Sequence, residues 1–177
     1  RQTAAMAAAW RLPDGGAMDE GGGGGGMAGP GGAGAGWVGA KGALLLGGRL
    51  LTTLRDDLGH IPFPGHWDLV GGGREGGESP RETLIREARE EVGLDLGTAE
   101  WLWQSRFPSM ADPSRPSWFF VLRMPPAAAR AIALGDEGQG WMLIPPARFL
   151  ALPRAVPALQ ARLSAWLGRL GASPGTS

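Results

Sequence analysis

The chain contains no cysteine and only two histidines among its 177 residues. The absence of cysteine excludes a disulfide framework and any site that uses a thiolate as metal ligand or nucleophile. Two histidines are too few for a site that is built from imidazoles alone. A catalytic or metal site therefore has to rest mainly on other side chains.

The chain also lacks a charge surplus and a long apolar run. Lys and Arg total 17, as do Asp and Glu, so the formal net charge is zero. This argues against an electrostatic nucleic-acid binder, because such proteins need excess cations to displace phosphate counterions. The longest apolar runs are far shorter than the roughly 20 residues that cross a bilayer. We expect a cytoplasmic monomer or homodimer that binds neither nucleic acid nor membrane.

Glycine is abundant, with 32 residues, and much of it lies in the first forty positions. Residues 1–36 offer little side-chain area to offset the entropy of ordering them. We therefore predict a disordered Gly/Ala-rich leader over 1–36, one folded domain over 37–171 and a disordered tail over 172–177. The weakly apolar start is not typical of a signal peptide, because Arg11 and Asp14 follow it.

The pattern after residue 37 predicts several strands. Residues 38–46 and 49–55 flank two glycines that can both adopt positive φ, which favours a β-hairpin. Further strands are predicted at 67–70, 101–107, 118–124 and 141–144, while 127–134 fits either a helix or a strand. Alternation within 101–107 places four residues on one side of that strand, namely Trp101, Trp103, Ser105 and Phe107.

Helices are predicted at 79–92, 146–152 and 156–170. In the last of these, six apolar residues recur at three- and four-residue spacing and Gly171 follows at a C-cap position. We interpret this stripe as core packing rather than as a partner-binding face; its members are Val156, Leu159, Leu163, Trp166, Leu167 and Leu170. Strands combined with a middle and a final helix predict an α/β sandwich.

The helix at 79–92 has strong signals at both ends. Ser79 suits the N-cap, Pro80 suits the first helical position, and Glu82 completes a capping box with Ser79. Gly93 follows as a left-handed terminator. None of these features requires a function.

The end of this helix is unusually acidic. Glu87, Glu90 and Glu91 share one flank, where like charges repel by a few tenths of a kcal/mol per pair. The helix dipole also disfavours carboxylates in the last turn. We predict that Arg86 and Arg89 project from other sides, so the acids need another counter-charge. A hard divalent cation such as Mg²⁺ supplies one, whereas an acidic face without a role is the alternative.

The surrounding spacing resembles a known motif. From Gly72, five residues lead to Glu78 and seven more lead to the segment REAREEVGL at 86–94. This resembles the Nudix box: Gly, five residues, Glu, seven residues, then Arg-Glu-aliphatic-x-Glu-Glu-x-Gly-aliphatic, with Ala88 as a small aliphatic member. Residues 67–73 resemble the strand and glycines before the box, with Val70 where proline is common. The resemblance covers about 37–170 and implies a Nudix-type α/β/α sandwich with a mixed β-sheet between helices.

The resemblance implies a pyrophosphohydrolase that uses Mg²⁺ or Mn²⁺. Water would attack phosphorus in the diphosphate linkage of a nucleoside-diphosphate-type metabolite. Glu87, Glu90 and Glu91 are the implied metal ligands, and the carbonyl of Gly71 is a further one. Glu87 either binds metal or activates water, and Glu90 also counts among the catalytic residues.

The resemblance also implies that Arg86 steadies the carboxylates together with Glu78 and does not touch substrate; an ordinary surface pair is the alternative. Some family members add a carboxylate from outside the box. Glu137 is the candidate here, because flanking glycines would let it swing towards the metal, with Asp136 as its neighbouring alternative. An exposed loop acid fits the same residues, and the choice of general base between Glu87 and Glu137 stays open.

Substrate contacts are less clearly indicated. Trp118 or Phe107 can stack on a base, although aromatic residues at strand spacing also fit a core. His66 can meet a phosphate or a catalytic water, or be an ordinary loop residue. Two other functions are considered: a Nudix-fold binding or regulatory domain without turnover, against which the intact box argues, and isoprenoid diphosphate isomerisation, which uses a cysteine that this chain lacks.

Overall fold

A seven-stranded β-sheet forms the centre of the computed structural model, which describes residues 36–171. Its strands are β1 Gly39–Leu46, β2 Arg49–Leu54, β3 Trp67–Asp68, β4 Val70–Gly73, β5 Glu100–Pro108, β6 Pro116–Met124 and β7 Gly140–Ile144. The helices are α1 Pro80–Val92, α2 Pro146–Leu150 and α3 Pro157–Gly171, and two 3₁₀ helices span Leu96–Thr98 and Pro126–Ala131. The predicted leader, apart from Gly36, and the predicted tail lie outside the described residues.

The sheet is mixed. Its strand order is β3-β2-β1-β6-β5, while β4 pairs with β1 and β7 pairs with β2. Only the β1–β6 pair is parallel among the pairs described. The predicted β1–β2 hairpin is confirmed, with φ of 57° at Gly47 and 84° at Gly48. Among the helices of residues 36–171, none is both long and apolar enough to cross a membrane.

Helices cover both faces of this sheet. On one face, Leu84 and Ala88 of α1 belong to a buried cluster with Phe120 of β6. On the other face, Arg162 of α3 lies over the ring of Phe107, 5.3 Å from its centroid. The predicted α/β/α sandwich is therefore confirmed.

The apolar stripe of α3 packs as predicted over most of its length. Val156, Leu159, Leu163 and Trp166 are buried. Leu170 is 38% exposed, so its assignment to the core is wrong. Gly171 is the last residue of α3.

The predicted alternation along β5 is wrong at Trp101. A register shift between Trp101 and Trp103 interrupts the pairing with β6. Trp101 contacts Phe120 on the α1 face, whereas Trp103 contacts Phe107 and Phe119 on the α3 face. A β-bulge inserts one extra residue, so positions i and i+2 no longer share a side.

The glycines at 71–73 belong to a strand. β4 pairs antiparallel with β1, and Gly71 lies opposite Lys41 with a φ of 131°. A Cβ at Gly71 would overlap the backbone of Ala40 and Lys41. Close approach of two strands therefore requires glycine at this position.

The left-handed C-cap of α1 gives a stability prediction. Gly93 has a φ of 67° and donates its N–H to the last turn of the helix. We expect Gly93→Ala to lower the free energy of unfolding by about 1 to 2 kcal/mol, because a Cβ is disfavoured in this conformation. Gly168→Ala in α3 is the matched control: a Cβ there meets open space, so it should raise the free energy of unfolding by about 0.5 to 1 kcal/mol. Urea denaturation measures both, and shifts of equal sign would contradict this account.

Candidate active site

Helix α1 is fixed at its start by reciprocal hydrogen bonds. The Glu82 N–H donates to the Ser79 hydroxyl at 3.3 Å, and the Ser79 N–H donates to the Glu82 carboxylate at 2.7 Å. This is the predicted capping box. Leu84 and Ala88 bury the apolar face of the helix, so its acidic flank is held beside β4.

Arg86 lies at the centre of this acidic flank. Its Nε donates to Glu78 at 2.7 Å, and its Nη2 donates to Glu78 at 3.3 Å and to the Gly73 carbonyl at 2.8 Å. Its Nη1 donates to Glu87 and Glu90, each at 2.9 Å. A guanidinium has five N–H donors, and these five hydrogen bonds engage all of its nitrogens.

The prediction that Arg86 projects away from the acids is therefore wrong. Residues four apart lie on one helix flank, so Arg86 meets Glu90 directly, and its long side chain also reaches Glu87. The pairing with Glu78 joins the loop before α1 to the helix. Arg86 thus supplies a counter-charge to two of the three flank carboxylates.

The ion pair between Arg86 and Glu78 is electrostatically strong. The Arg86 guanidinium holds the pKa of Glu78 at about 2, helped by the hydroxyl of Thr83, which donates to Glu78 at 2.9 Å. Burial raises the pKa of Glu87, and the hydrogen bond from Arg86 opposes that rise. Glu78 is consequently ionised at neutral pH and keeps Arg86 in place.

Glu91 has a different environment. The Gly71 N–H donates to its carboxylate at 3.3 Å, and burial raises the pKa of Glu91 to about 7, opposed by the charge of Lys41. Lys41 itself bonds Asp68 at 3.0 Å, and Arg55 bonds the same carboxylate oxygen at 2.7 Å. Lys41 and Asp68 were not predicted as site residues from the sequence. The signal that could have found Lys41 is its place as the lone lysine in an otherwise apolar strand.

The flank carboxylates fit a divalent cation by their chemistry. Hard cations such as Mg²⁺ prefer oxygen ligands, and a Cβ at Gly72 would overlap the Glu87 carboxylate, so glycine gives this group its room. Within residues 36–171, no three acidic or histidine side chains are already arranged to hold a metal ion. Glu87 and Glu90 turn to Arg86, whereas Glu91 turns to Gly71.

A NUDIX domain model matches residues 38–167 of this chain. The chain belongs to the NUDIX family. The predicted family is thereby confirmed on a match that covers more than half of the sequence.

Characterised Nudix relatives agree with this assignment. The nucleoside triphosphatase NudI of Escherichia coli strain SE11 is 34% identical over a 107-residue alignment that covers 56% of this chain and 74% of that protein. NudI of Shigella flexneri gives the same values. With the domain match, these relatives confirm that the chain is a Nudix hydrolase.

Solved structures share the Nudix fold. An Ap4A hydrolase from C. elegans has a TM-score of 0.60 at 17% identity, over 76% of this chain and 99% of that chain. RenU, a Nudix hydrolase from M. smegmatis, has a TM-score of 0.58 at 15% identity, over 80% and 89%. The NUDIX domain of Shewanella oneidensis NrtR has a TM-score of 0.56 at 22% identity, over 77% and 89%.

Within this Nudix domain, Glu137 and Glu91 line the same small cleft, which has a volume of about 70 Å³. The loop that was expected to let Glu137 swing is tied down on both sides of that residue. Before it, the Gly135 N–H donates to the Glu91 carbonyl at 3.0 Å; two further hydrogen bonds follow it. The Gly138 N–H donates to Asp56 at 3.1 Å, and the Gln139 N–H donates to the Leu54 carbonyl at 2.8 Å. Glu137 is exposed and its role as base or ligand stays a prediction; Asp136 is exposed too.

The three predicted substrate-contacting residues do not converge. Trp118 stacks on Phe120 with 6.0 Å between ring centroids, on the α1 face of the sheet. Phe107 lies on the opposite face, because β5 pairs it with Ser117, the neighbour of Trp118. His66 lies in the loop before β3, with Nδ1 2.8 Å from the Pro64 carbonyl oxygen. The two aromatic side chains therefore lie on opposite faces of the sheet.

A larger cleft of about 250 Å³ lies beside the glycines of β4. We call it the side cleft. Its lining includes Val38, Phe63, Gly72, Met110, Ser117 and Arg162. None of its lining residues belongs to α1, but Gly72, which lines it, also adjoins the Glu87 carboxylate.

The buried Glu91 generates a pH prediction. Its pKa of about 7 in the folded chain exceeds the ordinary 4.5, so the folded state binds the proton more tightly. Tighter proton binding by Glu91 therefore makes its full contribution to the free energy of unfolding below about pH 4.5, and this contribution is lost as the pH rises through 7. Glu91→Gln should therefore exceed the wild type in free energy of unfolding at pH 8, on the order of 3 kcal/mol, and match it near pH 4.5.

Urea denaturation of chelator-treated protein from pH 4.5 to 8 measures this difference. Glu90→Gln is the control, because that side chain is 59% exposed and its replacement should not reproduce the rise. A stability difference for Glu91→Gln that stays constant across this range would contradict the assignment.

Proposed function

We propose that this Nudix hydrolase cleaves the diphosphate linkage of a nucleotide-type metabolite with the help of Mg²⁺ or Mn²⁺. The observation that carries the proposal is the acidic flank of α1, which Arg86 fixes beside the glycine strand β4 and whose Glu91 lines a cleft together with Glu137. The similarity to NudI, named as a nucleoside triphosphatase, supports a nucleotide substrate.

Glu87, Glu90 and Glu91 would hold the cation, with the Gly71 carbonyl as a further ligand. A divalent cation in such a site neutralises phosphate charge and lowers the pKa of water. Arg86 has a supporting role: it lies between Glu87 and Glu90 and reduces the repulsion between them. Because its hydrogen bonds go to the protein, Arg86 positions the carboxylates and does not contact substrate.

The reaction needs a base for the attacking water. The water oxygen bonds to phosphorus, its proton passes to a carboxylate, and the bond from phosphorus to the bridging oxygen breaks, releasing a phosphate-terminated product. Glu87 suits the base because burial raises its pKa, which strengthens its hold on a proton. Glu137 is the second candidate, because it lines a cleft together with Glu91.

Replacing the flank carboxylates tests the proposal. Glu90→Gln and Glu91→Gln should each lower kcat by about 10² to 10⁴, the range typical of lost charge stabilisation or proton transfer. Both variants should fold, because the replacements are nearly isosteric. The assay is Mg²⁺-dependent release of phosphate or nucleotide from nucleoside triphosphates, dinucleotide polyphosphates, ADP-ribose, nucleotide sugars and oxidised nucleoside triphosphates.

Glu100→Gln is the matched control. Glu100 is the first residue of β5 and forms an ion pair with Arg123, so its replacement should leave activity unchanged. Near-normal turnover in both flank variants would refute the roles assigned to Glu90 and Glu91. Ligand binding without hydrolysis across the whole panel would favour the alternative of a Nudix-fold binding or regulatory domain.

A further inference from the structure

Two buried polar groups in the side cleft have no hydrogen-bond partner. Arg162 is 2% exposed and Ser117 is 7% exposed, and both line the cleft. The Nη1 of Arg162 and the hydroxyl of Ser117 are unpartnered. A buried polar group without a partner is costly and rare in native proteins, so both atoms call for a hydrogen-bonding ligand.

Arg162 is held firmly in this position. Its Nη2 donates to the Pro108 carbonyl at 2.7 Å, and its guanidinium lies 5.3 Å from the centroid of Phe107. Within residues 36–171, no carboxylate forms an ion pair with it. The remaining Nη1 donors are therefore available to a ligand in a fixed orientation.

The rest of the cleft suits a flat ring. Val38, Met110 and Val156 contribute apolar walls, and Phe63 contributes an aromatic one. Phe63 has a φ of 52°, a conformation that is uncommon for a residue with a side chain. Lys41 and Arg55 also line the cleft, but both form ion pairs with Asp68. Arg162 is the lining cation without an ion pair among the described residues, and a single such guanidinium beside apolar walls fits a carbonyl on a heterocycle better than a phosphate, which attracts several charged donors.

We propose that the side cleft binds the nucleobase, that the Ser117 hydroxyl gives the base a hydrogen bond of either direction, and that Arg162 selects bases with an oxo group over bases with an amino group. Arginine donates hydrogen bonds and cannot accept them. At position 6 of the purines and position 4 of the pyrimidines, guanine, uracil and thymine carry a carbonyl acceptor, whereas adenine and cytosine carry an amino donor. An amino group facing Arg162 would leave both groups unpaired, and such mismatches are strongly rejected.

This inference rests on the proposed function, because it assumes a nucleotide ligand whose phosphates lie towards Gly72 and Gly73, which also line the cleft. Uridine and cytidine form a matched pair that differs in an oxo or amino group at one ring position. Guanosine and adenosine form a second pair of larger size. If both pairs show the same preference in affinity, that preference is due to the oxo group and not to ring size.

Titration calorimetry of the full chain with UMP, CMP, GMP and AMP in the presence of Mg²⁺ tests the inference. The monophosphates lack a diphosphate linkage, so binding is measured without turnover. The expected result is at least tenfold tighter binding of UMP than CMP and of GMP than AMP. Equal affinity within either pair, or no binding by any of the four, would overturn the inference.

Variants locate the selectivity. Arg162→Gln should reduce both ratios to less than threefold, because an amide can donate or accept, whereas Ser117→Ala should weaken the binding of all four nucleotides and keep the ratios. Arg106→Gln is the control, because Arg106 lies over Trp118 on the other face of the sheet; it should keep the wild-type ratios. If Arg162→Gln does not fold, Arg162→Met decides: wild-type ratios in that variant would overturn the inference.

The outcomes separate this inference from the proposed function. Selective binding of oxo bases by a chain that hydrolyses nothing in the substrate panel would refute the proposed function alone. Hydrolysis of nucleotides without a preference for oxo bases would refute the inference alone.

Discussion

The candidate site depends on one guanidinium. Arg86 ties together the loop before α1, the end of β4 and two carboxylates of the helix. Its ion pair with Glu78 persists down to strongly acidic pH, because the pKa of Glu78 is held at about 2. Without Arg86, Glu87 and Glu90 would repel each other in a helix whose dipole already disfavours them.

The three flank carboxylates are stabilised in two different ways. Glu87 and Glu90 share the charge of Arg86, whereas Glu91 turns towards the sheet, where burial dominates its pKa and Lys41 gives partial compensation. Two of the carboxylates therefore lie beside a cation, whereas Glu91, with a pKa of about 7, is readily protonated. A divalent ion would compete with Arg86 for the first two and with a proton for the third.

Local signals in the sequence were sufficient for part of this structure. The bounds of α1 were predicted to within one residue, because its cap residues act on their immediate neighbours, and the β1–β2 hairpin follows from its two glycines. Gly71 and Gly72 were not recognised as part of a strand, because glycine has little strand propensity and its place in β4 depends on a distant partner, β1.

The remaining errors also have physical causes. The bulge that separates Trp101 from Trp103 is decided by pairing with β6. The direction of Arg86 was mispredicted because angular position on a helix ignores the reach of a long side chain. Arg162 was not predicted as a candidate because its burial depends on residues of β5 more than fifty positions earlier, among them Phe107 and Pro108.

Strand β1 has a consequence for the length of ligand that the protein can accommodate. It pairs with β4 through residues 39–42, with β6 through residues 40–46 and with β2 through Leu45 and Leu46. The same strand therefore lines the side cleft and also pairs with β4, the strand beside the flank carboxylates. In the proposed binding mode, this strand would set the distance between the bound ring and the scissile bond, and molecules with a longer or shorter spacer would not fit both ends at once.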